Sequence, residues 1–311
     1  MSKPFLRQLT HLLFILGAVL AAPVVLRAQT QNATMPYRLV STIKTAASDE
    51  ARCLFFGHNG LMLIGTNSGL KIYDGYTISA MKSTAAAPRL LPNNNVMAIT
   101  EDHEQNLWLG TRNGLVRMNL RMGERKIYPA LNKVQPWANA LFTDRSGRVW
   151  MGASDGLYVF DKARDTFIRR VVGQTWVVNP AGKKTKVNIY GVMTIAEDRQ
   201  GNIYFGTWDR GLFKLDARRN ILYSYPAINS QGSVYTLFFD SRQRLWIGTW
   251  GYGFARMDNP TNPSAPELNT YNRGGGSFDT YYKFVEDPTT RTVWGATREG
   301  ITVVNFDGSL T

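Results

Sequence analysis

One unit of sequence returns six times along this chain, and that recurrence constrains the fold more than any other feature. Each copy has an alternating apolar stretch, an acidic or turn residue, a Gly or Asn turn, an aromatic residue, then Gly-Thr and Gly-Leu. The clearest copy runs from Val96 to Asn119 as VMAITEDHEQNLWLGTRNGLVRMN. The others start at Cys53, Leu141, Val192, Val234 and Tyr282. Gly65, Gly110, Gly152, Gly206, Gly248 and Ala296 hold one equivalent place, separated by 45, 42, 54, 42 and 48 residues.

Each copy reads as four antiparallel strands. In the clearest one, Val96 to Glu101 alternates as strand A, Asp102 to Asn106 turns, Leu107 to Thr111 is strand B and Leu115 to Asn119 is strand C. A weaker strand D follows, as at Arg125 to Tyr128, Phe167 to Arg170 and Ile221 to Tyr225. Four strands in about 40 to 50 residues are the size of a propeller blade. The expected fold is therefore an all-β propeller with six encoded blades, either a closed six-bladed ring or an incomplete seven-bladed one. Tyr37 to Ile43 reads as a lone outer strand that can complete the sixth blade. The scaffold residues are the equivalent glycines Gly110, Gly152, Gly206 and Gly248, for close approach of sheets, and the aromatics Trp108, Trp150, Tyr204, Trp246 and Trp294, as wedges between blades.

The N-terminus carries a different signal. Lys3 and Arg7 precede an apolar run from Leu12 to Leu26, and Ala28 is a small residue at a cleavage position. Residues 1–28 read as a secretory signal, 29–36 as a short linker and 37–311 as the propeller. The apolar run is short for a membrane span of roughly 20 residues. Cleavage leaves 33 basic residues against 23 acidic ones, from an initial net charge of +13. That balance suits acidic partners, and export to the periplasm argues against nucleic acid. With Cys53 as the one cysteine there is no internal disulfide and no cysteine cluster for a metal. His58 and His103 lie in separate A–B turns, so no metal site and no cofactor is expected.

The copies resemble the two-component regulator propeller repeat. The pattern falls on Glu101, Asp102, Asn106, Leu107, Trp108, Leu109, Gly110, Thr111, Gly114 and Leu115, and again on Glu197, Asp198, Gly201, Asn202, Gly206, Thr207, Gly211 and Leu212. Leu63 replaces the Trp in the first copy and Ala296 the Gly in the sixth. The resemblance implies the exported N-terminal sensor region of a Bacteroidetes hybrid two-component regulator, here without its kinase. Such regulators carry two seven-bladed propellers, an immunoglobulin-like domain, a membrane span, a histidine kinase and often a response regulator. Signalling and membrane association would then run through domains absent from this sequence, and a homodimer is expected by analogy.

Specificity is expected in the B–C loops, which vary on a constant frame. Their candidate ligand contacts are Arg112, Asn113, Asp155, Trp208, Asp209, Arg210, Trp250, Tyr252, Arg298 and Glu299. The fourth and fifth loops each carry one extra residue and begin with Trp208 and Trp250. Two aromatic rings beside polar groups suit stacking on a sugar, so the expected ligand is an oligosaccharide or another small extracellular molecule. Lys183, Lys184 and Lys186 add an anionic preference. Two D–A connections, 173–188 and 259–277, read as long loops over this face. A protein–protein interaction propeller is the alternative, and a polysaccharide lyase or glycosidase a third reading. Catalysis is not expected: the carboxylates that recur at A–B turns read as turn caps, and the chain is taken as no enzyme itself.

Overall fold

The computed structural model describes residues 49–87, 90–128, 137–179, 181–225, 233–261, 268–271 and 280–304. The signal and linker segments, the Tyr37 to Ile43 strand, Gly274 to Gly276 and the C-terminal Gly308 to Thr311 lie outside these residues.

Every helix or strand element among the described residues is a β-strand. The first copy forms an antiparallel sheet of β1 (Ala51–Phe56), β2 (Met62–Thr66), β3 (Gly69–Tyr73) and β4 (Ile78–Met81). The second forms β5 (Val96–Glu101), β6 (Leu107–Thr111), β7 (Gly114–Met118) and β8 (Arg125–Tyr128). The third and fourth supply β9 (Ala138–Thr143), β10 (Val149–Ala153), β11 (Gly156–Asp161), β12 (Thr166–Val178), β13 (Lys184–Ile189), β14 (Val192–Glu197), β15 (Ile203–Thr207), β16 (Gly211–Leu215) and β17 (Leu222–Tyr225). The fifth forms β18 (Val234–Phe239), β19 (Leu245–Thr249), β20 (Phe254–Met257) and β21 (Leu268–Tyr271), and the sixth β22 (Tyr281–Glu286), β23 (Val293–Thr297) and β24 (Ile301–Val304).

These sheets correct the expected ring of six separate four-stranded blades, whether closed or left over from seven. The third and fourth copies join into one nine-stranded sheet. Its eight-strand path, β14-β15-β16-β17-β12-β11-β10-β9, turns back on itself. At its ends Asn139 Nδ2 donates to the Val192 carbonyl at 3.3 Å, so β9 and β14 lie side by side without a ladder. The molecule thus has four propeller blades and one nearly closed eight-stranded unit. The cause is the extra length between Gly152 and Gly206. The added residues extend β12 to 13 residues and fold back as β13. The far end of β12 then meets β17 in a parallel pair at Val178 and Tyr223. The connection expected as a loop at 173–188 is therefore a hairpin, and β21 occupies part of the other long connection.

Local chemistry explains why each copy folds the same way. Asp144 caps its A–B turn by accepting from the backbone N–H groups of Ser146 (3.0 Å) and Arg148 (2.9 Å). Its second oxygen accepts the indole N–H of Trp150 at 2.8 Å. Asp102 with Trp108 and Asp240 with Trp246 repeat the tie. The copies that depart from the pattern bond elsewhere: Tyr204 donates to the Pro260 carbonyl and Trp294 to the Thr292 hydroxyl. In the second, fourth and sixth copies a glutamate precedes the turn and braces the preceding copy. Glu101 accepts from His58 N, Glu197 from Arg145 N and Glu286 from Ser241 N.

Apolar cores lie between successive copies. Trp108 packs with Ala138, Val149 and Phe167 of the third copy, Trp150 with Val192 and Ile195 of the fourth, and Tyr204 with Val234 and Leu237 of the fifth. Glycine sets the spacing between them. A Cβ on Gly206 would lie 2.3 Å from Val234 Cγ1, and one on Gly110 2.8 Å from Ala138 Cβ. Lys283 and Cys53, from the sixth and first copies, act on each other electrostatically. Desolvation by the surrounding protein pushes the Lys283 pKa down and the Cys53 thiol up to about 12.

Candidate functional site

The first strand of every copy has the same irregularity. The A–B pairing shifts register between its first and third residues. One residue per copy is left out of the ladder: Arg52, Met97, Asn139, Met193, Tyr235 and Tyr282. A bulge re-aims the side chain it frees, and none of these six is buried.

In the fifth and sixth copies the freed residues are tyrosines, and both reach Trp250. Tyr235 lies 5.5 Å from the Trp250 ring and Tyr282 6.3 Å, and the tyrosines lie 5.8 Å from each other. Trp208 completes the group at 5.7 Å from Trp250, the two ring planes inclined at 48°. Trp208 stays 44% exposed and Trp250 39%, so both offer ring surface to solvent. The backbone fixes their bases. Trp208 N donates to Gly191 O at 2.8 Å, Trp250 N to Ser233 O at 2.9 Å and Gly251 N to Thr280 Oγ1 at 3.0 Å. Gly191 adopts a φ of 61°, the left-handed region that glycine enters freely. It also carries an N–H bond to Ser154 O, linking the third hairpin to the fourth.

Polar groups flank the rings. Tyr190 donates its hydroxyl to Asp209, and Arg210 lies over the Tyr190 ring at 5.7 Å. Burial, then the neighbouring Tyr282, raises the Tyr235 hydroxyl pKa, against the opposing charge of Arg52. Tyr235 is therefore a neutral donor and acceptor at any physiological pH. Tyr252 is half exposed on the same hairpin as Trp250.

Other sequence-derived candidates are placed differently. Arg112 stacks over Trp137 at 5.0 Å, and Asn113 N donates to Thr111 Oγ1. Asp155 accepts from the Tyr158 hydroxyl at 2.6 Å, a bond that serves its own hairpin. Arg298 and Glu299 sit in the sixth hairpin, where Glu299 N donates to Thr297 Oγ1. Lys186 lies over Trp176 at 5.2 Å on the β12–β13 hairpin. Sequence reasoning missed Tyr235, Tyr282, Tyr190 and Trp137. For the two tyrosines a signal existed: the second residue of strand A varies among the copies as freely as the B–C loops do.

Among the described residues no three His, Cys, Asp or Glu side chains gather as a metal set. The geometry offers aromatic surface with hydroxyl, carboxylate and guanidinium groups beside it, which is chemistry for holding a ligand.

Three segments of the chain, residues 90–113, 187–209 and 229–251, match the two-component regulator propeller family. These three matches place the two-component regulator propeller repeat in the second, fourth and fifth copies. The second and third of these segments end on the Trp208 and Trp250 hairpins. No curated protein matches the sequence significantly. Among solved structures, the extracellular domain of BT3049 from B. thetaiotaomicron, assigned to a hybrid two-component system, is similar at 19% identity and a TM-score of 0.64. The similarity covers 86% of this chain and 35% of that one. The extracellular domain of BT4673, assigned to a one-component system of the same organism, gives 16% identity and a TM-score of 0.52 over 85% of this chain and 43% of that one. This chain thus spans less than half the length of either domain. A catalytically inactive variant of virginiamycin B lyase from Staphylococcus aureus, solved with quinupristin, is similar at 14% identity and a TM-score of 0.57, covering 82% and 79%. At these identities the likeness is one of fold.

Proposed function

We propose that this chain is the ligand-binding part of an exported sensor in a two-component regulatory system, and that its ligand is an oligosaccharide stacked on Trp208 and Trp250. The observation that carries the reading is the half-open aromatic group around Trp250, built from two hairpins and two bulge tyrosines. A pyranose has an apolar C–H face and a rim of hydroxyls. Indole surface suits the face, and Asp209, Arg210 and the Tyr235 hydroxyl suit the rim. The family repeats and the extracellular domains of the two B. thetaiotaomicron proteins support sensing outside the cytoplasm. The signal-like N-terminus agrees. In this reading the chain binds and does not catalyse, and the signal leaves through other domains.

The test is calorimetry against neutral and acidic oligosaccharides, with glycan mass checked after incubation. Loss of one stacked ring weakens binding by roughly tenfold, so Trp250→Ala and Trp208→Ala should each lower affinity by that order. Full affinity in the folded Trp250→Ala protein, or no binding across the set, would overturn the proposal. Cleaved glycan would overturn its non-catalytic part.

A further inference from the structure

The β12–β13 hairpin has an outward face that fold stability does not explain. Its inward residues Val177 and Ile189 are fully buried in the core shared with Trp150 and Phe205. Its outward residues meet in cross-strand pairs, Gln174 with Asn188 and Trp176 with Lys186, while Lys184 stands opposite Val178, which packs on the neighbouring core. Trp176 is 59% exposed, with ring surface open to solvent beside Lys186. From Thr166 to Gly191 the chain carries five basic residues and no acidic one.

We propose that this face is a second binding surface, distinct from the Trp250 group, for an acidic polysaccharide. Residues of one face recur about every 6.8 Å along a strand, so Lys184 and Lys186 form a regular cationic row. A polymer with a carboxylate or sulfate on its sugar units can match such a row. The exposed part of the Trp176 indole stacks on a sugar C–H face, while Lys186 sits over the ring at 5.2 Å. The paired amides of Gln174 and Asn188 both donate and accept, which is what sugar hydroxyls require. Near its end the hairpin is tied by Asn179 N donating to Lys183 O and Lys183 N to Asn179 Oδ1. A membrane surface fits less well. Trp176 stands beside amides and lysines, whereas an interfacial anchor needs a continuous apolar face.

Affinity electrophoresis of the protein in gels containing polygalacturonate, dextran sulfate or neutral dextran tests this surface. Vesicles one-third phosphatidylglycerol form a parallel arm. Retardation is expected with the two acidic polymers and not with dextran. Trp176→Ala should weaken it roughly tenfold. Lys184→Glu with Lys186→Glu should weaken it more and flatten its salt dependence. Arg121→Glu with Arg125→Glu, an equal charge change on the second copy, should leave it within about threefold. Thermal melts confirm that each variant is folded. The proposal fails if the control reversal is as damaging, if Trp176→Ala binds normally, or if vesicles bind while polygalacturonate does not.

Discussion

Replacing Asp144 by Ala tests the tie that recurs through the fold. Asp144 is 1% exposed and accepts from Ser146 N, Ser146 Oγ, Arg148 N, Arg148 Nε and Trp150 Nε1. Trp150 is 2% exposed, so its indole N–H would be stranded, which costs about 1–3 kcal/mol. The two backbone N–H groups lose about 1 kcal/mol each. Arg148 is half exposed, and its ion pair adds less than about 1 kcal/mol. The total is about 4 kcal/mol, a large part of the roughly 5–15 kcal/mol that holds a domain together. In a unit of this size that lowers Tm by about 10 °C, read by calorimetry at pH 7. Trp150→Phe removes the stranded donor and keeps the ring. The double variant should therefore be less destabilised than the two single losses summed, by about 1–2 kcal/mol. Acid should erase the difference. Burial alone would raise the Asp144 pKa, but bonds from Ser146, Trp150 and Arg148 outweigh it and hold the pKa below 3.8. Its stabilising effect is complete above that value and disappears as pH falls through the lower folded pKa. Strict additivity of the two substitutions, or a Tm loss under about 3 °C, would refute this account of the turn.

Two further outcomes follow from packing and burial. Gly206→Ala forces a methyl to 2.3 Å from Val234 Cγ1, so it should destabilise by about 1–3 kcal/mol in urea titration. Gly182→Ala, where nothing lies within 4 Å but φ is 80°, should show only the smaller cost of the left-handed backbone. Cys53, with its thiol pKa pushed from 9.0 to about 12, should alkylate at pH 8 about a thousandfold more slowly than an ordinary thiol. Rapid iodoacetamide labelling of the native protein would count against that burial.

Much of the repeat was legible because its causes are local. Val96 to Glu101 alternates, Asp102 caps its own turn, and Leu107 to Thr111 and Arg125 to Tyr128 become strands at those bounds. The paired hairpins with Trp208 and Trp250 were also legible, since one extra residue in each copy marks them. Their 5.7 Å approach was not, because it depends on how two sheets sit side by side.

The sequence by itself determined an all-β chain of repeated hairpins and the turn chemistry of Asp102, Asp144 and Asp240. Those follow from interactions within about 25 residues of chain, and each copy restates them. Tertiary structure alone decided that the third and fourth copies share one sheet. A parallel pair such as Val178 with Tyr223 joins strands 45 residues apart, and no local pattern encodes it. It also decided the site. Tyr235 and Tyr282 look like ordinary strand residues until a bulge frees them, and only the packing of the fifth copy against the sixth brings both to Trp250.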